Sequence, residues 1–262
     1  MCPQFLIPTM DLIDTKDILE QYYQKYHISN FAEEDPIQIP LAYTLKQDQE
    51  IAGLFAAVFA WGQRKTIIAK SKDLMHRMDN KPFDFICEAT SSDLKQLIGF
   101  RHRTFNDTDL LYFVEFLHQV YKKYNSLEDL LFENKKNVYA SLVDFKVLFE
   151  SSENYAKRSG KHLSSPLNGS ACKRLNMYYR WMVRDTGIDL GIWKKIKPKD
   201  LIIPLDVHVT RVAKELGLIK TEKADWKTAV ELTSILAKFD SNDPVKYDFA
   251  LFGLGVYKGE EM

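Results

Sequence analysis

Lys173, Asp206 and the pair Asp248 and Phe252 are the side chains whose types and spacing could do chemistry. Lys173 lies in PLNGSACKR (Pro166 to Arg174). Asn168-Gly169 is a turn dipeptide and Ser170 stands where an N-cap would be, which puts Lys173 in the first turn of a helix. There the positive end of the helix dipole opposes an ammonium charge. Burial beside other cations would further favour the neutral amine, a nucleophile for an electrophilic carbon. A solvated lysine in a basic turn accounts for the same residues. Asp206 lies in LIIPLDVHVTRVAKELGL (Leu201 to Leu218), directly ahead of a helix with Val209, Val212, Ala213 and Leu216 inward. The apolar approach through Ile202, Ile203 and Leu205 sets its carboxylate at the rim of a core. Asp206 can cap that helix, and it can also stabilise positive charge on a reacting sugar or accept a proton from an amine. The two roles are compatible. Asp248 and Phe252, in DPVKYDFALFGLG (Asp243 to Gly255), stand four apart and share a helix face. An acceptor and an aromatic so placed can hydrogen-bond and stack a planar base. A salt-bridged Asp beside a core Phe is the plainer alternative, and Phe249, Leu251 and Leu254 read as core.

The elements that must position these residues read as helices. Asp14 and Thr15 can cap a helix carrying Ile18, Leu19, Tyr22, Tyr23 and Tyr26. EEDPIQIP (Glu33 to Pro40) breaks the pattern and reads as a loop. Asp48 then caps EIAGLFAAVFAWG, whose closely spaced small residues point to a helix deep in the core, ended by Gly62. A basic amphipathic segment runs from Arg64 to Met78, and Pro82 and Ser91 each mark a short helix. GFRHRTFNDTD reads as a polar connection. Asp107 or Thr108 caps a long helix with Leu110, Leu111, Phe113, Val114, Leu117, Val120 and Tyr121 on one broad face. Another helix spans Lys136 to Phe149, and Ser152 to Ser170 is the longest turn-rich linker. Helices follow from about Ala171 to Arg184, from Asp206 to Gly217, near Ala224 to Phe239, and from Asp243 to Leu254. No clear period-two run rises above this pattern, so the class expected is all-α.

LNGSACKR, LIIPLDVHVTRVAKELGL and DPVKYDFALFGLG, in that order, resemble the helix-hairpin-helix DNA glycosylase superfamily. That superfamily has a lysine in the second helix of its hairpin and an aspartate that caps a later helix. PLDVHVTRV (Pro204 to Val212) resembles its signature around the catalytic aspartate. The separation of 33 residues from Lys173 to Asp206 is nearest the archaeal 8-oxoguanine glycosylase branch. In that branch the last helix also carries an Asp and an aromatic four residues on. The whole chain also resembles a bacterial family of unknown function. The superfamily resemblance runs from about Ile51 to Gly255 and is specific in these three patches. It implies a two-lobed fold: one unit over 1–262, with a helical lobe of 50–185 including the hairpin and a second of 1–49 and 186–262.

By the same resemblance, Lys173 attacks the anomeric carbon of a damaged nucleotide and Asp206 stabilises the charge that develops there. The covalent imine that follows can lead to strand scission. An oxidised purine in double-stranded DNA, 8-oxoguanine first, is the implied substrate, with Asp248 and Phe252 in the base pocket. AWGQRKT (Ala60 to Thr66) places Gln63 where the superfamily has a polar residue entering the DNA stack; simple helix-end chemistry is the alternative. GFRHRTF (Gly99 to Phe105) resembles an arginine-containing turn, so Arg101 and Arg103 would touch phosphate; pairing with neighbouring carboxylates is the alternative. Asn168, Gly169, Ser170, Arg174 and His208 join them as implied DNA contacts. The usual hairpin has two glycines around a hydrophobic residue, and Asn168-Gly169-Ser170 retains one. The iron–sulfur cysteines that some members carry are missing.

Composition sets the outer limits. At 262 residues, 45% hydrophobic and 27% charged, the chain has material for a core and is not a disordered one. Only 11 Gly and 9 Pro argue against an all-β sandwich. Cys2, Cys87 and Cys172 lie far apart, so a disulfide framework, a zinc ribbon and an iron–sulfur cluster lack their ligands. Six histidines show no paired ligand spacing, which disfavours a metal hydrolase, and no metal or cofactor is expected. The opening MCPQFLIPTMDLIDTKD has no basic lead and no apolar stretch of signal-peptide length. The longest apolar run, Ile51 to Trp61, is too short for a bilayer. A cytoplasmic setting without a membrane partner is therefore expected, and the resemblance, which implies one closed unit, favours a monomer.

The formal charge is zero, with 36 basic against 36 acidic residues, yet the charges separate along the chain. Residues 155–200 carry a net +8 and 64–81 a net +4, whereas 11–50 carry a net −6. Basic segments meeting a duplex release counterions and bind in a salt-sensitive way; a solvated charged face is the bland reading. Two rivals to the lyase stand beside it: a monofunctional glycosylase for another lesion, and a non-catalytic helical module that binds DNA or RNA.

Overall fold

A computed structural model describes residues 12–27, 29–135 and 137–257. Cys2, and Lys136 as the start of a helix, lie outside the described residues. The chain begins with α1 (Leu12–Tyr26), α2 (Ser29–Glu34), α3 (Gln38–Leu41), α4 (Lys46–Phe59), α5 (Arg64–Arg77) and α6 (Pro82–Glu88). A hairpin of β1 (Arg101–His102) and β2 (Phe105–Asn106) leads to α7 (Asp107–Tyr121), α8 (Leu127–Phe132) and α9 (Val138–Glu150). Then come α10 (Lys173–Val183), α11 (Val207–Glu215), α12 (Trp226–Leu236) and α13 (Asp248–Tyr257). The described chain is predominantly helical, as expected, and the hairpin is its one sheet. None of the described helices is long and apolar enough to cross a membrane.

The core is built on α4 and α10. Every residue of α4 from Glu50 to Phe59 is buried, as is α10 from Leu175 to Val183. Small residues permit the approach: a Cβ on Gly53 would lie 2.7 Å from Met182 Cε. In this apolar setting Glu50 carries a fully buried carboxylate that ties four elements together. It accepts from Tyr121 Oη at 3.0 Å, Leu127 N at 3.0 Å, Trp193 Nε1 at 2.7 Å and the Ser126 hydroxyl. Burial still pushes its pKa up, so this hub survives on the completeness of its hydrogen bonding. On the other side α13 packs against α1 and α11. Gly253 makes the first contact possible, because a Cβ there would collide with the Tyr26 ring.

Several local expectations change. EEDPIQIP is not a loop: α2 and α3 run through it, and Asp35, Ile37, Ile39 and Pro40 are buried. The Asp35 carboxylate accepts from Ile37 N at 3.0 Å and folds the break between the two helices inward. The segment 152–170 is turn-rich, as expected, but it is packed against the core. It forms 3-10 turns at Lys157–His162 and Pro166–Asn168 and buries Ser159, His162, Leu163 and Pro166. GFRHRTF makes the hairpin, whose Phe100, His102 and Phe105 are buried.

Three caps also move. Leu45, not Asp48, precedes α4, and Asp48 instead accepts from Phe83 N at 2.8 Å. Asn106 caps α7 in a reciprocal box with Asp109. Ser170 does not cap α10; the chain enters that helix through Cys172 in the left-handed region (φ 50°), while Ser170 bridges to Asp225. Lys173 is nonetheless in the first turn, as its helix's first residue.

Candidate active site

Five segments converge on a cavity of about 380 Å³, within the range of about 300–1,000 Å³ usual for small-molecule sites. Along α10, Lys173, Met177 and Arg180 follow at helical spacing and form one wall. Asp206 and His208 at the start of α11 stand opposite, with Asp248, Phe249 and Phe252 of α13 beside them. The link between α4 and α5 contributes Trp61, the first turn of α5 contributes Arg64, and the bend between α2 and α3 contributes Asp35.

The two residues singled out for covalent chemistry meet here. Lys173 Nζ lies 3.9 Å from Asp206 Oδ2, with both side chains about one-quarter exposed. The charged partner of Lys173 is thus a carboxylate, and Met177 Sδ lies 3.6 Å from its Nζ. Asp206 divides its oxygens. Oδ1 accepts from His208 N and Val209 N, both at 2.9 Å, and caps α11; Oδ2 faces Lys173. Capping and chemistry need not compete for the same atom.

Asp248 and Phe252 share the cavity but differ in burial. Asp248 is buried and paired with the Arg180 guanidinium, so the salt-bridged alternative describes it. Burial pushes its carboxyl up to about 6; Arg180 and Lys173 work against the shift, and the Asp206 charge adds to it. Arg180 also lies 3.4 Å from Asp189 Oδ1, and its guanidinium sits 4.4 Å from the Phe249 ring centroid. Arg184 continues the network to Asp189 and Asp243. Phe252 is half-buried rather than core, lines the cavity, and has the Arg64 guanidinium 5.5 Å from its ring centroid.

The remaining DNA contacts implied by the sequence scatter. His208 is exposed and lines the cavity, and exposed Gln63 directly precedes α5 beside Gly62 and Arg64 of its wall. Arg101 and Arg103 are exposed on the hairpin. Asn168 and Gly169 are exposed at the turn before α10, where Gly169 adopts φ 74° and its carbonyl accepts from Trp226 N at 3.1 Å. Arg174 is a correction: its guanidinium turns inward and donates to the carbonyls of Val58 and His162. With Arg180 and Arg184 also internal, the basic run 155–200 is not one exposed face.

Sequence reasoning missed Asp35, Trp61, Arg64 and Arg180. Arg180 was within reach, seven residues from Lys173 on the same face. Asp35 was not, because its burial depends on α3 folding back on α4. Burial raises the Asp35 pKa against the pull of Arg180, Arg64 and Lys173. Among the described residues no group of three or more His, Cys, Asp and Glu is disposed to hold a metal ion. One family model, described as a protein of unknown function (DUF2400), matches residues 35–257. No curated protein and no solved structure matches.

Proposed function

Starting from a chain that belongs to the DUF2400 family, we propose a function from the chemistry of its cavity: a DNA glycosylase with lyase activity that removes an oxidised purine. The observation that carries this reading is the facing of Lys173 and Asp206 across 3.9 Å in a cavity that also holds an acidic acceptor and an aromatic ring. Such an enzyme acts on an extruded nucleotide, since the glycosidic bond is out of reach in a stacked duplex.

In this mechanism the neutral Lys173 amine attacks the anomeric carbon. The glycosidic bond breaks and its electron pair leaves with the base. Asp206 Oδ2 offsets the positive charge that grows on the sugar and can take the proton that the lysine nitrogen loses. Opening of the sugar ring then gives the protonated imine, and loss of a proton from the adjacent carbon expels the 3′ phosphate. Asp248, held by Arg180, accepts a hydrogen bond from the base, and Phe252 stacks on it. Two lobes closing on the nucleotide fit the same reading, with the cavity between the elements of 50–185 and those of the two flanking segments.

The test is incubation of the protein with a duplex carrying a single 8-oxoguanine, with free base and strand nicking measured together. The reading expects both products, and loss of nicking in Lys173→Gln. Base release without nicking by the unaltered chain would favour the monofunctional alternative. Binding without release of any base across oxidised purines would overturn the enzyme reading.

A further inference from the structure

We propose that a second, basic depression next to the cavity holds the phosphodiester backbone of the strand adjoining the extruded nucleotide. This rests on the nucleic-acid reading above, but not on the lysine chemistry. The depression encloses about 660 Å³, and Arg101, Arg103, Arg158 and Lys161 line it. The hairpin supplies two of these cations and the 3-10 turn at Lys157–His162 the other two, so the fold has to bring distant segments together to build it.

Four cations face one carboxylate in the lining, Asp107, and that carboxylate is occupied. Its oxygens accept from Gly99 N at 2.8 Å and Thr108 N at 2.9 Å. Two of the arginines are held in place. Arg158 donates to Thr104 O at 3.2 Å and lies 3.2 Å from Oδ2 of the fully buried Asp109. Arg103, in the left-handed region at φ 55°, lays its guanidinium 4.6 Å from the Trp61 ring centroid. Gly62 leaves the space for it, since a Cβ at that position would collide with the guanidinium.

Trp61 connects the two sites, because it lines the catalytic cavity and carries Arg103 on its ring. A strand leaving the cavity past Trp61 meets the depression directly. Guanidinium groups fixed by other contacts match phosphate oxygens well, and the ordering cost is already met in the free protein. The local cluster explains how a chain of zero formal charge can still grip a polyanion on one side.

The experiment measures binding of the full chain to an undamaged fluorescent duplex by anisotropy, as a function of salt. Each phosphate contact contributes about 0.9 to the slope of log affinity against log salt, or about 3.5-fold in affinity between about 50 and 200 mM. Arg101→Gln/Lys161→Gln should therefore shrink the loss of affinity over that range by about 12-fold. The control Lys122→Gln/Lys123→Gln lies past the far end of α7 from the depression, about 22 Å along the helix, and should leave the slope as it was. An unchanged slope in the first pair, or an equal change in the control, would overturn the site. Failure of the unaltered chain to bind the duplex at all would overturn the nucleic-acid reading with it.

Discussion

Replacing Asp206 by Asn separates the two roles that the geometry divides between its oxygens. The cap is made by Oδ1, which accepts from two amides at 2.9 Å. Asn keeps an oxygen there and is as good an N-cap as Asp. What disappears is the charge: about 0.3–1 kcal/mol of interaction with the helix dipole, and about 0–1 kcal/mol from a partly exposed pair with Lys173 at 3.9 Å. The stability loss should stay below about 2 kcal/mol on these terms. Asp206→Ala gives up the cap as well, a further loss of about 0.5–2 kcal/mol. Base excision should respond in a different proportion. Loss of a preorganised partner for transition-state charge costs about 2.7–4 kcal/mol, or about 10²–10³ in rate. Urea unfolding of both variants, beside single-turnover excision from an oxidised-purine duplex, reads the two roles separately. Asp206→Asn excising at the unaltered rate would leave Asp206 a cap and nothing more. Asp206→Asn as unstable as Asp206→Ala would refute the division between the oxygens.

Other outcomes follow from individual residues. Asp248 is a charged acceptor above pH about 6 and protonated below it, so KM for excision should rise as the pH falls through 6. Asp248→Asn should flatten that profile, and an identical profile would remove Asp248 from base binding. Burial pushes His162 down to about 4 from 6.5, so the unfolded chain takes up its proton first. The stability present above pH 6.5 should be lost as the pH falls to 4, a total of about 3 kcal/mol. Urea titrations at several pH values measure this, and an undiminished pH dependence in His162→Gln would assign it elsewhere. Gly253→Ala drives a methyl group into the Tyr26 ring and should cost about 1–3 kcal/mol by overpacking. Unchanged thermal unfolding would mean that α1 and α13 do not pack as described.

What could be read from the sequence was local. Asp206 announced itself because an N-cap is a pattern of neighbours: an apolar approach, a carboxylate, then a helix. Asp248 and Phe252 shared a face by spacing alone, and Lys173 fell in a first turn because a turn dipeptide precedes it. The errors have one cause, which is tertiary packing overriding local chemistry. EEDPIQIP looks like a loop, yet α3 packs on α4 and carries Asp35 into the cavity. PLNGS looks like a helix entry, yet Ser170 pairs with Asp225 and the cap falls to Cys172. Arg174 sits in a basic run and reads as a phosphate ligand, but the carbonyls of Val58 and His162 take its guanidinium. Linear charge counting failed there for the same reason. The cations that stayed outside were gathered by the hairpin and the turn at Lys157–His162, which no window of the sequence contains.

The central claim is that Lys173 is the nucleophile, and borohydride trapping tests it most directly. The protein is mixed with an 8-oxoguanine duplex and borohydride, and the covalent complex is digested and mapped by mass spectrometry. The account predicts an adduct on Lys173 and none in Lys173→Gln. An adduct on another lysine, one that survives Lys173→Gln, or none with the unaltered protein would contradict it.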